Sequence, residues 1–129
     1  MVSAAEKAGV VNMVGFNYVR SPASLYARQL IADGAIGEVI WFRGEHTEDF
    51  LSDPQSPATW RTDGKANGTM GDLAPHMINC ALALLGPIDE VMADIETVHT
   101  TRPADGGARD VPNEDHAHRM CRFTGGVMG

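Results

Sequence analysis

The sequence predicts a mixed α/β fold, because segments with helical signals alternate along the chain with segments that have the pattern of strands. Residues 3–8 are helix formers, and Gly9 is a residue that stops such a helix. A second helix is expected to open with Ser21 as its cap and Pro22 at its first position, and to end at Gly34. These local signals predict two helices in the first quarter of the chain.

A third predicted helix begins near Asp72 and stops at Gly86 and Pro87. Four other segments are apolar and β-branched or alternate in polarity, which is typical of strands. Residues 101–113 are polar and rich in Gly and Pro, so we expect a loop there. The predicted strands are residues 10–19, 38–50, 88–100 and 114–124, and residues 127–129 are the expected start of a hairpin partner.

The composition excludes several classes of function. The chain has 129 residues, which is one domain at most, and its formal net charge of -7 argues against nucleic acid, since phosphate binding needs a basic face. Cys80 and Cys121 are far apart and indicate reduced thiols rather than a disulfide framework. No apolar stretch approaches the roughly 20 residues of a membrane span, and no signal peptide is present, so we expect a cytoplasmic protein that binds no membrane.

Both ends of the sequence resemble interrupted structure. The start has the end of a helix, a glycine and an apolar strand, which together form one α-to-β step of a parallel sheet. The last three residues are the beginning of a strand. From these two patterns we expect a chain that is incomplete at both ends.

Asp72 and His76 are the first candidate for chemistry. A separation of four residues on a helix brings two side chains onto one face, with Cβ atoms roughly 5–6 Å apart. Asp72 also stands where a carboxylate caps the free N–H groups of a helix start. A histidine beside a fixed carboxylate can transfer protons near neutral pH. The alternative is that Asp72 is only a cap and His76 an ordinary helix histidine.

The loop before this helix supplies further polar groups. It runs from about residue 51 to residue 71 without a regular pattern, and a loop of that length in a small domain is usually functional or disordered. Arg61 can hold a hydroxyl, carboxylate or phosphate with its planar donors, and Lys65 adds a cation. Each of these residues taken alone is more typical of solvated surface.

Metal binding was weighed as a third possibility. His116 and His118 alternate on a predicted strand and share one face, but two ligands do not make a metal site. Asp72, His76 and Cys80 also share a helical stripe without any second cysteine pair. We therefore expect no metal. His46 and His99 lie in predicted strands and carry no separate signal.

Three motifs follow one another between residues 15 and 79. They are GFNYVRSP at residues 15–22, the step G-x-I-G-E at residues 34–38, and the pattern W-R…G…GDLxxHxIN between residues 60 and 79. In this order and spacing, the sequence resembles the glucose–fructose oxidoreductase/inositol dehydrogenase (GFO/IDH/MocA) family.

The resemblance implies an N-terminal Rossmann domain and a C-terminal α/β domain with an open, largely antiparallel or mixed sheet that has helices on one face. It implies hydride transfer between NAD or NADP and a sugar, polyol or related hydroxy compound, in a homo-oligomer. Residues 1–18 then correspond to the last helix–strand step of the Rossmann domain. Residues 19–129 correspond to an incomplete substrate and oligomerisation domain.

The resemblance also assigns roles to individual residues. His76 is similar to the family's histidine that gives and takes the proton of the reacting hydroxyl, and Asp72 to the aspartate that orients substrate and histidine. Four further residues fall where the family lines the substrate and nicotinamide pocket, namely Asn17, Tyr18, Trp60 and Arg61.

The sequence departs from the family pattern in several places. It has neither the glycine-rich dinucleotide fingerprint nor the Glu-Lys-Pro motif with the catalytic lysine. Asn79 stands where many members have aspartate. We therefore expect the isolated chain to be inactive and to bind NAD(P) weakly. The alternative function is a non-catalytic module that uses its sheet for oligomerisation or interaction.

Overall fold

A computed structural model describes residues 1–64 and 67–129, so Lys65 lies outside the described residues. None of the helices in these two ranges combines the length and the apolar character that crossing a bilayer requires. Two 3₁₀ turns, Tyr18–Arg20 and Trp60–Thr62, join the regular elements. The α-helices are α1 (Val2–Ala8), α2 (Pro22–Ala32), α3 (Thr69–Asp72) and α4 (Ala74–Leu85).

The first two helices end and begin as their sequence signals predict. Gly9 follows α1 in the left-handed conformation with φ of 61°, which glycine adopts without a steric penalty. Ser21 caps α2, because its hydroxyl accepts a hydrogen bond of 3.2 Å from the Ser24 amide, and Pro22 occupies the first turn. These helices were predictable because their caps are local.

The strands form two antiparallel pairs. β1 (Ile88–Glu96) pairs with β4 (His116–Phe123), which confirms the strands expected at 88–100 and 114–124. β2 (Thr101–Ala104) pairs with β3 (Gly107–Asp110). The mixed α/β class with antiparallel pairing is therefore confirmed.

The last residues fold back along β4 as the sequence predicts. Gly129 exchanges two backbone hydrogen bonds with Cys121, at 2.8 and 3.0 Å, and the Phe123 amide donates to the carbonyl of Val127. Met128 in turn forms a parallel bridge with Trp41. The hairpin therefore links β4 to the segment that follows α2.

Three sequence predictions of local structure were wrong. Residues 10–19 form no regular strand, and residues 38–50 contribute only the single bridge at Trp41. A strand needs a neighbour that completes its hydrogen bonds, and local propensity cannot supply one. Residues 101–113, expected as a loop, contain the β2–β3 hairpin. Its two-residue turn is Asp105 followed by Gly106, whose φ of 89° is a conformation that favours glycine.

The buried core is small and lies between α4 and β4. Ala74 and Ala81 of α4 and Phe123 of β4 are 5% exposed or less, and Phe42 packs edge-on against Phe123. The chain has 9390 Å² of accessible surface. A compact monomer of 13.8 kDa has about 6,600 Å². Much apolar side-chain surface is consequently open to solvent.

One short stretch before β4, residues 113–115, holds the irregular loop in place, and we call it the anchor segment. Asn113 is 2% exposed. Its amide group donates hydrogen bonds to the carbonyls of Arg61 and Gly64, at 3.2 and 2.7 Å. A buried amide with two carbonyl partners fixes the position of both residues.

The second residue of the anchor segment, Glu114, caps α3. Its carboxylate accepts a hydrogen bond of 2.8 Å from the Met70 amide, and its carbonyl accepts one of 3.0 Å from the Thr69 amide. The expectation that Asp72 is an N-cap was wrong, because α3 begins after Gly68 and Asp72 is its last residue. Glu114, 44 residues away, satisfies the helix start instead.

Asp115 completes the anchor segment by joining it to the end of β1. Its carboxylate accepts hydrogen bonds from the Val98 and His99 amides, at 2.8 and 2.9 Å, and its carbonyl accepts one from the Thr69 hydroxyl. Partial burial acts to raise the pKa of Asp115, but the two amide bonds and His116 outweigh it, so the pKa lies below its ordinary value.

We predict that Gly68→Ala destabilises the chain by about 1–3 kcal/mol. A Cβ at this position would stand 2.7 Å from the Glu114 carbonyl oxygen and would displace the cap of α3. Gly125→Ala is the matched control, since its Cβ would meet nothing within 4 Å. Urea unfolding followed by circular dichroism measures both, and equal midpoints for the two variants would contradict the packing described.

We predict that Asp115→Asn lowers stability near neutral pH and has a smaller effect in acid. A carboxyl whose folded-state pKa is depressed stabilises the fold above its ordinary value of 3.8 and loses that effect as pH falls through the lower folded-state pKa. Unfolding at about pH 6 and about pH 2.5 tests this, with the exposed Asp89→Asn as control. An equal loss at both pH values would rule out a role of the charge.

Candidate active site

His76 lies in the first turn of α4, surrounded by aromatic rings. The Tyr18 ring is edge-on to it with centroids 4.9 Å apart, and the Phe16 ring is edge-on at 5.8 Å. The His46 ring stands 6.5 Å away. We call these four residues the aromatic cluster. The 3₁₀ turn that carries Tyr18 packs against α4, which explains how the N-terminal region reaches the histidine.

The His76 ring has an unusual feature inside this cluster. Its Nδ1 atom is buried and has no hydrogen-bond partner among the described residues. A buried polar atom without a partner costs about 1–3 kcal/mol, so native structures rarely retain one without a reason. A ligand or a further protein group at this nitrogen would remove that cost.

Asp72 is paired with arginine rather than with histidine. Its Oδ2 atom accepts a hydrogen bond of 2.8 Å from Nε of Arg61. The guanidinium carbon of Arg61 lies 4.2 Å from the centre of the Trp60 ring and 5.1 Å from that of Phe50. Stacking and ion pairing together hold the guanidinium in one orientation, which fixes the position of the Asp72 carboxylate.

The backbone between Asp72 and His76 is not one continuous helix. Leu73 separates α3 from α4, and the His76 amide donates to the Leu73 carbonyl. The two side chains therefore lie near the junction of two helices and contact different neighbours. The four-residue spacing of Asp72 and His76 predicts that the two side chains are close. No local pattern predicts the pairing of Asp72 with Arg61, because Arg61 lies 11 residues earlier in the chain.

A cleft of about 990 Å³ opens beside the Arg61–Asp72 ion pair. It runs between the segment after Trp41 and the edge of β4. Arg61, Asp72, His46 and Glu48 are among the residues that line it. The cleft is large enough for a sugar-sized molecule. The Arg61–Asp72 ion pair and His46 of the aromatic cluster are both part of its lining.

Arg102 of β2 supports one wall of this cleft. It is 2% exposed, and its guanidinium donates to the carbonyls of Leu51 and Asp53, at 2.6 and 2.9 Å. An arginine that is satisfied by backbone carbonyls fixes the course of the chain around it. The fixed stretch directly follows Phe50, the residue that stacks on Arg61.

The family resemblance also implies Trp60 and Asn17 as pocket residues. Trp60 is more than half exposed and contacts Arg61, whereas Asn17 is exposed before the 3₁₀ turn of Tyr18. His46 had no predicted role and yet belongs to the aromatic cluster. In the sequence, His46 stands two residues before an acidic residue, Glu48, and this pattern is too common to single out one histidine.

Metal-binding groups do not converge in the parts of the chain that the structure describes. No three side chains of His, Cys, Asp or Glu lie close enough together to hold an ion there. His116 is engaged by Asp115 at 3.2 Å instead. The described donors therefore offer no candidate metal centre.

Comparison with known proteins settles the family. A sequence model of the GFO/IDH/MocA C-terminal domain matches residues 24–129. The chain belongs to the GFO/IDH/MocA family. The match begins after the first 3₁₀ turn, Tyr18–Arg20, and covers the cleft, the anchor segment and the helix that carries His76.

Several relatives share the sequence and the fold. Levoglucosan dehydrogenase of Pseudarthrobacter phenanthrenivorans is 34% identical over 145 residues, which cover 100% of this chain and 37% of the relative. D-xylose 1-dehydrogenase [NADP(+)] of Haloarcula marismortui is 25% identical over 94% of this chain and 35% of the relative. The chain therefore spans about a third of the length of these relatives.

Solved structures agree with the sequence comparison. A levoglucosan dehydrogenase in complex with NADH and L-sorbose superposes with a TM-score of 0.87 and 39% identity, over 93% of this chain and 32% of that one. An NAD binding oxidoreductase from Klebsiella pneumoniae superposes with a TM-score of 0.87 and 40% identity, over 99% of this chain and 35% of that one. The fold in the described residues is that of known oxidoreductases.

Proposed function

We propose that the chain supplies the substrate side of an active site that transfers hydride between NAD or NADP and a sugar, polyol or related hydroxy compound. The observation that carries this proposal is His76, whose buried, unpartnered nitrogen stands among aromatic rings close to an Arg61–Asp72 ion pair. The named activities of the relatives support the substrate class.

In this proposal the active site is formed by a substrate domain and a dinucleotide-binding domain. Residues 19–129 belong to the substrate and oligomerisation domain, and residues 1–18, which contain α1 and no regular strand, belong to the end of a dinucleotide-binding domain. The remainder of that domain is supplied outside this sequence, which has no glycine-rich turn for a pyrophosphate. We call the chain together with that domain the assembled protein. The chain by itself is inactive and binds NAD(P) weakly.

The described residues fit one end of a nicotinamide cofactor. The orphaned His76 nitrogen and the half-exposed Tyr18 ring offer a polar atom and an apolar surface to a planar ring. Tyr18 and Asn17 would hold the nicotinamide end, whereas the phosphates would be held outside this sequence. When bound, the cofactor accepts or returns the hydride.

His76 is the group that moves the proton. Oxidation of a hydroxyl to a carbonyl releases one proton along with the hydride, and a neutral imidazole within hydrogen-bond distance takes it. In the reverse direction the imidazolium gives the proton back. The rings of Phe16 and Tyr18 stand edge-on to the imidazole and limit its orientation at the reacting hydroxyl.

Asp72 and Arg61 orient the substrate. The 2.8 Å ion pair keeps the carboxylate in place with one oxygen toward Arg61. The second oxygen is a strong acceptor for a sugar hydroxyl. Trp60 and Phe50 prevent the guanidinium from turning away, and the anchor segment holds the loop that carries it.

The second candidate function is an interaction module without catalysis. The observation that favours it is the large exposed apolar surface, in which Val91 and Ile95 of β1 are each more than half exposed. A homo-oligomer that covers such surface is compatible with either function. Activity of the assembled protein therefore distinguishes the two candidates, and oligomeric state does not.

We predict that His76→Asn lowers kcat of the assembled protein by about 10²–10⁴-fold, because the proton acceptor is lost. The measurement is NADH formation with levoglucosan, L-sorbose or D-xylose as substrate. Gln55→Asn is the control, since this exposed residue is not among those that line the cleft, and we expect its kcat within about twofold of wild type. A change in the His76 variant of only a few-fold rejects its role, and no turnover by wild type with these sugars rejects the function.

A further inference from the structure

His46 and Glu48 form a pair in the lining of the cleft. Nε2 of His46 lies 3.0 Å from Oε1 of Glu48. The His46 side chain is 17% exposed and the Glu48 side chain 44%. The neighbouring Glu45 is 67% exposed. Alternate residues of this extended segment therefore point toward α4, and those between them point to solvent.

The segment lies directly against the helix of His76. Gly44 contacts Met77, the residue that follows His76, and a Cβ at this position would collide with the Met77 side chain. The His46 ring also stands 6.1 Å from the Tyr18 ring, nearly perpendicular to it. These contacts place His46 at the candidate active site rather than on the open surface.

The carboxylate decides which nitrogen of His46 can meet a ligand. An ionised Glu48 only accepts hydrogen bonds, so Nε2 must carry the proton that it donates. In the neutral ring Nδ1 is then left with its lone pair as an acceptor. A carboxylate behind a histidine fixes the ring orientation and the tautomer in this way.

The spacing of the two histidines suits two neighbouring hydroxyls of one ligand. The His46 and His76 ring centroids are 6.5 Å apart. A polyhydroxy compound with hydroxyls on adjacent carbons can span that distance with hydrogen bonds of ordinary length. When one hydroxyl reacts at His76, the hydroxyl on the adjacent carbon therefore lies within reach of His46.

We propose that His46, held by Glu48, is a specificity-determining residue that accepts a hydrogen bond from one substrate hydroxyl next to the reacting centre. The inference rests on the proposed function and adds a residue to it. His46 moves no proton in the reaction, and its tautomer is fixed by Glu48. The acceptor nitrogen and the nearby carboxylate favour neutral polyhydroxy compounds over sugar acids, whose negative charge Glu48 repels.

The experiment measures sugar affinity and turnover in the assembled protein. The variants are His46→Ala, His46→Gln and Glu48→Gln, and Glu38→Gln is the matched control, an exposed residue of the same segment outside the cleft lining. The probes are levoglucosan and its mono-deoxy analogues, with binding measured by calorimetry in the presence of NADH and turnover by NADH formation. Calorimetry reports binding independently of catalysis.

We expect His46→Ala to weaken levoglucosan binding and raise KM by about 3–12-fold, the value of one hydrogen bond to a neutral group. For the one deoxy analogue that lacks the bonded hydroxyl, His46→Ala and wild type should bind within about twofold of each other. Glu48→Gln should raise KM with kcat within about threefold, and Glu38→Gln should match wild type. His46→Gln, which keeps an acceptor, should recover part of the loss.

An equal penalty from His46→Ala for levoglucosan and for every deoxy analogue overturns the inference, since that pattern indicates a general loss of structure. Wild-type affinity in all His46 and Glu48 variants overturns it as well. If His76→Asn abolishes turnover in that case, the proposed function stands and only the role of His46 fails. If wild type neither binds nor oxidises the sugars, both fail together.

Discussion

The geometry of the candidate site depends on the hydrogen bonds that the anchor segment makes to the loop before α3. Asn113 reaches the carbonyls of Arg61 and Gly64 across about 50 residues of sequence, and Glu114 supplies the cap of α3. Each such bond contributes only about 0.5–1.5 kcal/mol net, but leaving the buried groups unpaired would cost more. The loop therefore has one favourable position, with Arg61 directed at Asp72.

This arrangement explains why a long irregular loop can carry active-site groups. Functional groups on loops need a rigid support, and here the support comes from both sides. The anchor segment holds the end that leads into α3, and Arg102 holds the end near Phe50. Arg61 is stacked between residues from these two ends, so its ion pair with Asp72 is set by the fold rather than by the two side chains alone.

The helices were predictable from sequence because their determinants are adjacent in the chain. Ser21, Pro22 and Gly9 act within one helical turn, and β4 alternates between exposed and partly buried residues. Strand pairing and helix capping at long range were not predictable. The apolar run at 10–19 has strand propensity without a paired neighbour, and the cap of α3 comes from Glu114 rather than from the nearby Asp72.

In the candidate site, too, the features set by adjacent residues were predictable from sequence and the long-range contacts were not. Asp72 and His76 were identified from their spacing and from the family motif, and the structure places them at a helix junction with separate partners. The partners themselves come from residues that no local pattern joins. Tyr18 and His46 approach His76 because the N-terminal turn and the segment after Trp41 both pack on α4.

Amide hydrogen exchange in an Asn113→Ala variant tests the central role of the anchor segment most directly. If the segment holds the loop, amides of residues 59–64 and 67–72 should exchange faster in the variant, while those of α2 keep their wild-type rates. Unchanged protection of the loop amides, or an equal increase throughout the chain, would contradict the account.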